Sequence, residues 1–305
     1  MGGETVNSAL DRNRLFFSAM VSSTFIHASH TVDKSQHEPG VALKDQPFIH
    51  ELDFVYSGLT LNARYGINSR WGVALNVPVR AVHITAGFKD IEGRNLPEFQ
   101  SIHHRTELVA GLGDVQLTGH FRALRANAPG QWTIDLSFGT SLPTGGTEPD
   151  PFVLGAKGQS HQHMFFGHGT FDPVIAFELS RRGESFRFQA FGNAKVPLVE
   201  NEFGFRGPRT IAGGLGIDSG FGTQSWRFVI QGGLFTELSA AWSGQLARNS
   251  GRSDVVLTAG ANYLFKGGGA LIMLARMPIN LTVAGGQMQL SPVLTIGYAT
   301  SAGFE

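Results

Sequence analysis

Residues 131–141 read QWTIDLSFGTS. Trp132, Ile134, Leu136, Phe138 and Thr140 alternate with Thr133, Asp135, Ser137, Gly139 and Ser141. Successive side chains of a strand point to opposite faces, so this stretch sorts into one apolar and one polar face. The split recurs in 185–196, where Phe186, Phe188 and Ala190 oppose Arg187 and Gln189, and Asn193 and Lys195 continue the polar side.

Carried along the chain, the same template predicts about twelve strands, near 14–30, 49–67, 70–88, 112–126, 131–143, 169–182, 184–199, 208–221, 224–240, 252–266, 269–281 and 288–300, each close to or above the ~9–11 residues a tilted strand needs to cross a bilayer. Helical periodicity is weak throughout. Connections alternate in length. Tight turns rich in Asn, Gly or Pro fall at 68–69, 127–130, 182–184, 222–224 and 266–268; longer segments occupy 31–48, 89–111, 144–168, 200–207 and 241–251, with a brief one near 282–287. Short turns on one rim and long loops on the other are the pattern of an outer-membrane barrel, and an even strand count puts both termini on the short-turn, periplasmic side. The expected fold is all-β: a single transmembrane antiparallel up-and-down β-barrel spanning 1–305, with residues 1–13 as an N-terminal extension.

Composition agrees. Charged residues make up 16 % of the 305, below the roughly 25 % of an average soluble domain, and glycine is abundant at 40 residues. Lys plus Arg and Asp plus Glu balance at 24 each, which argues against a nucleic-acid partner. Cysteine is absent, so disulfides and thiolate metal sites are excluded. No apolar run reaches the 18 or so residues of a transmembrane helix, a limit that does not apply to strands. The opening MGGETVNSALDRNR has neither the basic start nor the apolar core of a secretory signal, so an exported chain in this numbering is expected to have had its signal cut or replaced. No G-x-S-x-G, H-E-x-x-H or G-x-x-x-x-G-K-[ST] motif occurs, and no enzyme activity is expected.

If the polar face lines the lumen, Arg64, Arg80, His120, Arg122, Asp135, Asp172, Glu178, Arg187, Lys195, Arg227 and Glu237 point inward. Apolar side chains then meet lipid, where a charge costs up to ~2–4 kcal/mol near the midplane. Asp114 and Asp172 are expected near Arg122 and Arg187, as rim anchors within an internal charge network.

Three motifs carry a family resemblance: GLGDVQL at 111–117 followed by Phe121-Arg122, SLPTGGT at 141–147, and GTFDPV at 169–174. In sequence and spacing they resemble the outer-membrane proteins named for the meta-pathway of phenol degradation. The match is concentrated in 111–182. The resemblance implies an outer-membrane location and uptake of aromatic or apolar compounds, and supplies no catalytic residues. The histidine-rich loops depart from the family pattern, as does the C-terminus, where Phe304 precedes a final Glu305.

All eleven histidines lie at or before residue 168. His27, His30 and His37 accompany the first long loop, His103 and His104 the second, and His161, His163 and His168 the third, within QSHQHMFFGHG at 159–169. Imidazole suits copper or zinc, and Met164 adds a soft donor. Three readings stand side by side: a metal platform at the mouth, solvated or gating loop histidines, and a lumen pH response. Met164, Phe165 and Phe166 are expected to pack into the mouth or plug it. The expected function is an outer-membrane channel or facilitator for passive uptake of small solutes, with outer-membrane lipid and the solute as partners and no cofactor required. The alternatives are a copper- or zinc-binding import protein and a structural or partner-binding barrel, and the sequence leaves the oligomeric state open.

Overall fold

The computed structural model describes residues 12–32, 47–96, 105–162, 164–219, 225–247, 250–283 and 290–303. Twelve positions of one antiparallel sheet close into a barrel. β1 (Arg14–Val32), β2 (Phe48–Gly66) and β3 (Trp71–Asp90) come first, followed by β4 (Glu107–Leu112) and β5 (Gln116–Leu124), which share the fourth position. Then come β6 (Trp132–Ser141), β7 (Asp172–Arg182), β8 (Phe186–Lys195), β10 (Thr210–Ser219), β11 (Trp226–Glu237), β14 (Arg252–Leu264), β15 (Ala270–Val283) and β16 (Val293–Gly303). β1 pairs with both β2 and β16, and β2 with β3, which closes the ring and leaves no edge to be satisfied in lipid. The long loops carry a short helix, α1 (Pro151–Ala156), and a three-stranded sheet of β9 (Phe205–Arg206), β12 (Ala241–Trp242) and β13 (Gln245–Leu246).

The expected fourth strand, 112–126, is corrected. Pairing starts at Glu107, runs against Val79–Ile84 of β3, and breaks at Gly113–Val115 before β5 resumes against Trp71–Asn76. At the break Gly113 donates to the Pro78 carbonyl, so the strand crosses a proline, which has no N–H to offer. The weak helical signal likewise overlooks α1, started by the Asp150 carboxylate accepting from Phe152 N at 2.9 Å.

Wall polarity settles the solvent on each side. Outward positions include Phe17, Val21, Leu75, Leu136, Phe138, Phe177, Phe188, Leu215, Ile230, Leu257 and Ile296, all exposed. Inward positions include buried Arg122, Gln189, Asp218, Gln231, Asp254, Asn262 and Thr295. A soluble barrel would reverse these faces; this one is turned out for lipid, and the chain is an outer-membrane β-barrel. Near the short-turn rim the outer surface carries aromatic rings. Trp71 packs on Phe121 with centroids 4.5 Å apart, and Trp226, Tyr263, Phe265 and Tyr298 form a chain at 5.0, 5.1 and 6.1 Å, as interfacial girdles do.

β1, β2 and β3 are 19, 19 and 20 residues long, more than a bilayer needs, and their face pattern inverts part-way. Below the row Phe25–Val55–His83, apolar side chains point out and polar ones such as Ser18, Asn62 and Arg80 point in. Above it Asp53, Glu51 and Lys89 point out, with Glu51 and Lys89 paired at 2.7 Å, while Ile26, Leu52, Phe54 and Ile84 point in. The strands thus pass from a lipid setting to a water setting, where apolar side chains belong inside. The inward apolar side chains form a cluster at the extracellular mouth, with Val82 fully buried in it.

Candidate functional site

The third loop, between β6 and β7, turns into this mouth. Met164 and Phe166 pack on the cluster of Ile26, Leu52, Phe54, Val82 and Ile84. Gly111 of the inner wall faces the Phe166 ring, where an added Cβ would stand 3.4 Å from it. Phe165 points elsewhere, edge-on to Phe205 and Trp242 at 5.1 and 6.1 Å, and so joins the third loop to the fourth and fifth.

Asp114 fastens the loop at both ends. One carboxylate oxygen accepts from Gly145 N at 3.0 Å and the other from His168 N at 2.8 Å. The two segments meet at glycines: a Cβ on Gly145 would come within 2.6 Å of the Gly167 Cα, so a side chain there cannot be accommodated without movement. Gly169, with φ +72°, then turns the chain back into β7. Asp172, fully buried, accepts from Thr170 Oγ1 at 2.6 Å and stands 2.6 Å from His168 Nδ1, with Lys195 Nζ 4.0 Å away. Asn201 Nδ2 donates to the His168 carbonyl at 3.0 Å. Gln162 bonds Glu107 and Arg105 bonds Ser160, pinning the loop to the start of β4.

Asp114 and Asp172 therefore do not join Arg122 and Arg187, whose partners lie elsewhere. Arg122 grips Asp135 through two bonds of 2.7 and 3.0 Å, and Arg187 reaches Asp218 at 2.8 Å through Nε. Both pairs are on the inner wall, as are Arg64, Arg80, Glu178, Arg227 and Glu237. Arg80 lies across Gly58, and the Arg64 charge acts on His120 and Glu178. His120 is held between Thr118 Oγ1 at 3.1 Å and Ser137 Oγ at 2.8 Å. Sequence reading did not single out Asp218, Asp254 with its partner Arg252, or Gln231; each sits in the polar phase of its strand, the signal that could have found it.

The described histidines of the first three loops sit in separate places. His27 and His83 point outward from β1 and β3, and His27 Nδ1 meets the outward Asp53 at 2.7 Å. His161 is buried and its Nδ1 lies 2.8 Å from the Gln159 carbonyl, beside Gly155 of α1. His37, His103, His104 and His163 lie outside the described residues, as does the side chain of His30. One group among the described residues, Asp114, His168 and Asp172, brings ligand atoms of three potential metal-binding side chains within 4.8 Å of one another.

Comparison with solved structures places the fold. An outer membrane channel from Pseudomonas putida F1 superposes with a TM-score of 0.65 over 99 % of this chain and 100 % of that one, at 13 % identity. The two share a fold. Two further barrels overlap less: the CymD monoaromatic hydrocarbon channel at TM-score 0.42 and 10 % identity, covering 96 % of this chain and 90 % of that one, and a Pseudomonas aeruginosa FadL homologue at 0.43 and 8 %, covering 96 % and 91 %. No protein-family model matches the chain, and no curated protein sequence matches it.

Proposed function

We propose that the chain is a passive outer-membrane channel for small solutes with apolar or aromatic bodies, related to the meta-pathway barrels its motifs resemble, and not an enzyme. The observation that carries this reading is the two-part inner wall. Solute would first meet the apolar mouth of Leu52, Phe54 and Ile84, narrowed by Met164 and Phe166, and then a lower lumen lined by Arg64, Arg80, His120, the Arg122–Asp135 pair, Glu178 and Arg187. An apolar mouth favours partition of an apolar body out of water, and charged rings below set which ions follow. No cofactor takes part, and lipid and solute are the partners. Planar-bilayer recording tests the proposal: folded protein should give discrete conductance steps, and complete silence across salt conditions and voltages would overturn it.

A second reading, collection of copper or zinc at the mouth, is supported by the mutual approach of Asp114, His168 and Asp172. Against it, both Asp114 oxygens already accept backbone N–H groups, and Lys195 brings a positive charge to Asp172. The donor set fits a clasp better than a cation site. Equilibrium dialysis of the wild type and His168→Ala against zinc or copper separates the readings, since equal metal content in both would end the metal reading.

A further inference from the structure

The short-turn rim of the barrel is charged with one sign. Arg70, Arg125 and Lys266 stand exposed in three of its turns, Arg181 and Arg182 share a fourth, and Arg14 opens β1 on the same rim. Among the described residues of this rim, Glu184 is the one exposed acid. The opposite rim mixes signs, with Glu148, Asp150 and Lys157 in the third loop and Glu200, Glu202 and Arg209 in the fourth. Since the whole chain balances at 24 charges of each sign, the basic rim is a matter of placement and not of composition.

These cations adjoin the aromatic girdle. Arg70 precedes Trp71 and Lys266 follows Phe265, both rings exposed on the outer surface. Arg181 is held more closely. It stands in register with Trp132 on the outward face, its guanidinium 5.6 Å over the exposed indole, and its Nε donates to the Gly130 carbonyl at 2.7 Å. One hydrogen bond and one ring face thus fix the guanidinium at girdle level, and no acceptor among the described residues takes its terminal nitrogens. A planar fork presented in this way matches the oxygens of a phosphate.

We infer that the short-turn rim binds the phosphates of anionic phospholipids in the periplasmic leaflet, with Arg181 over Trp132 as a formed seat and Arg70 and Lys266 as further contacts around the ring. The girdle rings lie against the glycerol and upper acyl chains, and the cations meet the headgroup charge. Lipid fits this surface better than a soluble acidic partner does, because Arg181 points sideways into the bilayer interface and not down into the periplasm. The inference rests on the polarity and orientation of the barrel, and passage of solute plays no part in it.

The test uses the barrel's own indoles, since Trp71, Trp132 and Trp226 all stand at this rim and bromine on an acyl chain quenches indoles close to it. The full chain is reconstituted in phosphatidylcholine mixed with brominated phosphatidylglycerol or brominated phosphatidylcholine, and quenching gives their relative binding constant. At low salt phosphatidylglycerol should be favoured roughly fivefold, the order expected when a basic side chain meets an anionic headgroup. The preference should fade near about 1 M salt, where screening acts within about 3 Å. Arg70→Gln with Arg181→Gln should lose most of it. Lys157→Gln with Arg209→Gln, an equal loss of charge on the opposite rim, should keep it. Heat-modifiable migration on gels confirms that each variant is folded. The inference is overturned if wild type binds both lipids equally at low salt, if the folded rim variant keeps the full preference, or if the loop variant loses as much as the rim variant.

Discussion

Asp114 holds both ends of the third loop with one carboxylate, through Gly145 N and His168 N. Asp114→Ala leaves both N–H groups without that acceptor, at roughly 1.5–3 kcal/mol for each hydrogen bond to a charged group, felt locally by the loop. The barrel should still form, and single-channel records should show larger, noisier current as the loop leaves the mouth. Arg122 poses a different case. Its partner Asp135 sits on the inner wall with little exposure, so Arg122→Ala strands a carboxylate, with an expected loss of about 3–5 kcal/mol in urea unfolding from lipid vesicles. Arg122 was legible as a lumen residue from its phase in the strand, whereas its partner was not: Asp114, Asp135 and Asp172 all stood as candidate acids, and only strand register puts Asp135 beside it.

At the scale of elements, the third loop is a plug made of three side chains with separate seats. Met164 and Phe166 sit on the apolar upper wall, and Phe165 between Phe205 and Trp242. Phe166→Ala should open the mouth toward the lumen and raise conductance several-fold, while Phe165→Ala should chiefly loosen the fourth and fifth loops, seen as faster protease cleavage near 200–209 and 238–251. The aromatic pair was visible in QSHQHMFFGHG, but its seats were not. The upper-wall seat depends on the inversion of faces in β1, β2 and β3. That inversion can be read in β2, where Glu51 and Asp53 occupy the opposite phase from Asn62 and Arg64, once a membrane boundary is placed between them.

For the whole molecule, the outward apolar belt predicts how charge is tolerated. Ile230→Arg, in the middle of the exposed outer face of β11, should cost roughly 2–4 kcal/mol of folding stability in phosphatidylcholine vesicles. Thr85→Arg, outward but above the Phe25–Val55–His83 row, should cost little. Equal costs at the two sites would misplace the membrane. The same belt explains the low share of charged residues, since half of each strand meets lipid and cannot carry them.

Strand number, the two-faced character of each strand and the alternation of short and long connections are set by the sequence alone, because period-two patterning and turn chemistry are local and repeat in nearly every strand, whereas which face meets lipid was decided by the closed barrel. The site is different. Whether histidines gather, which acid meets which base, and where Phe165 and Phe166 come to rest depend on register around a closed ring and on loops crossing its mouth. Asp114 and Gly145 become partners only when the third loop folds back on the mouth, and Phe17 and Thr300 only when the last strand pairs with the first. Closure of the sheet decided the chemistry that patterning had left open.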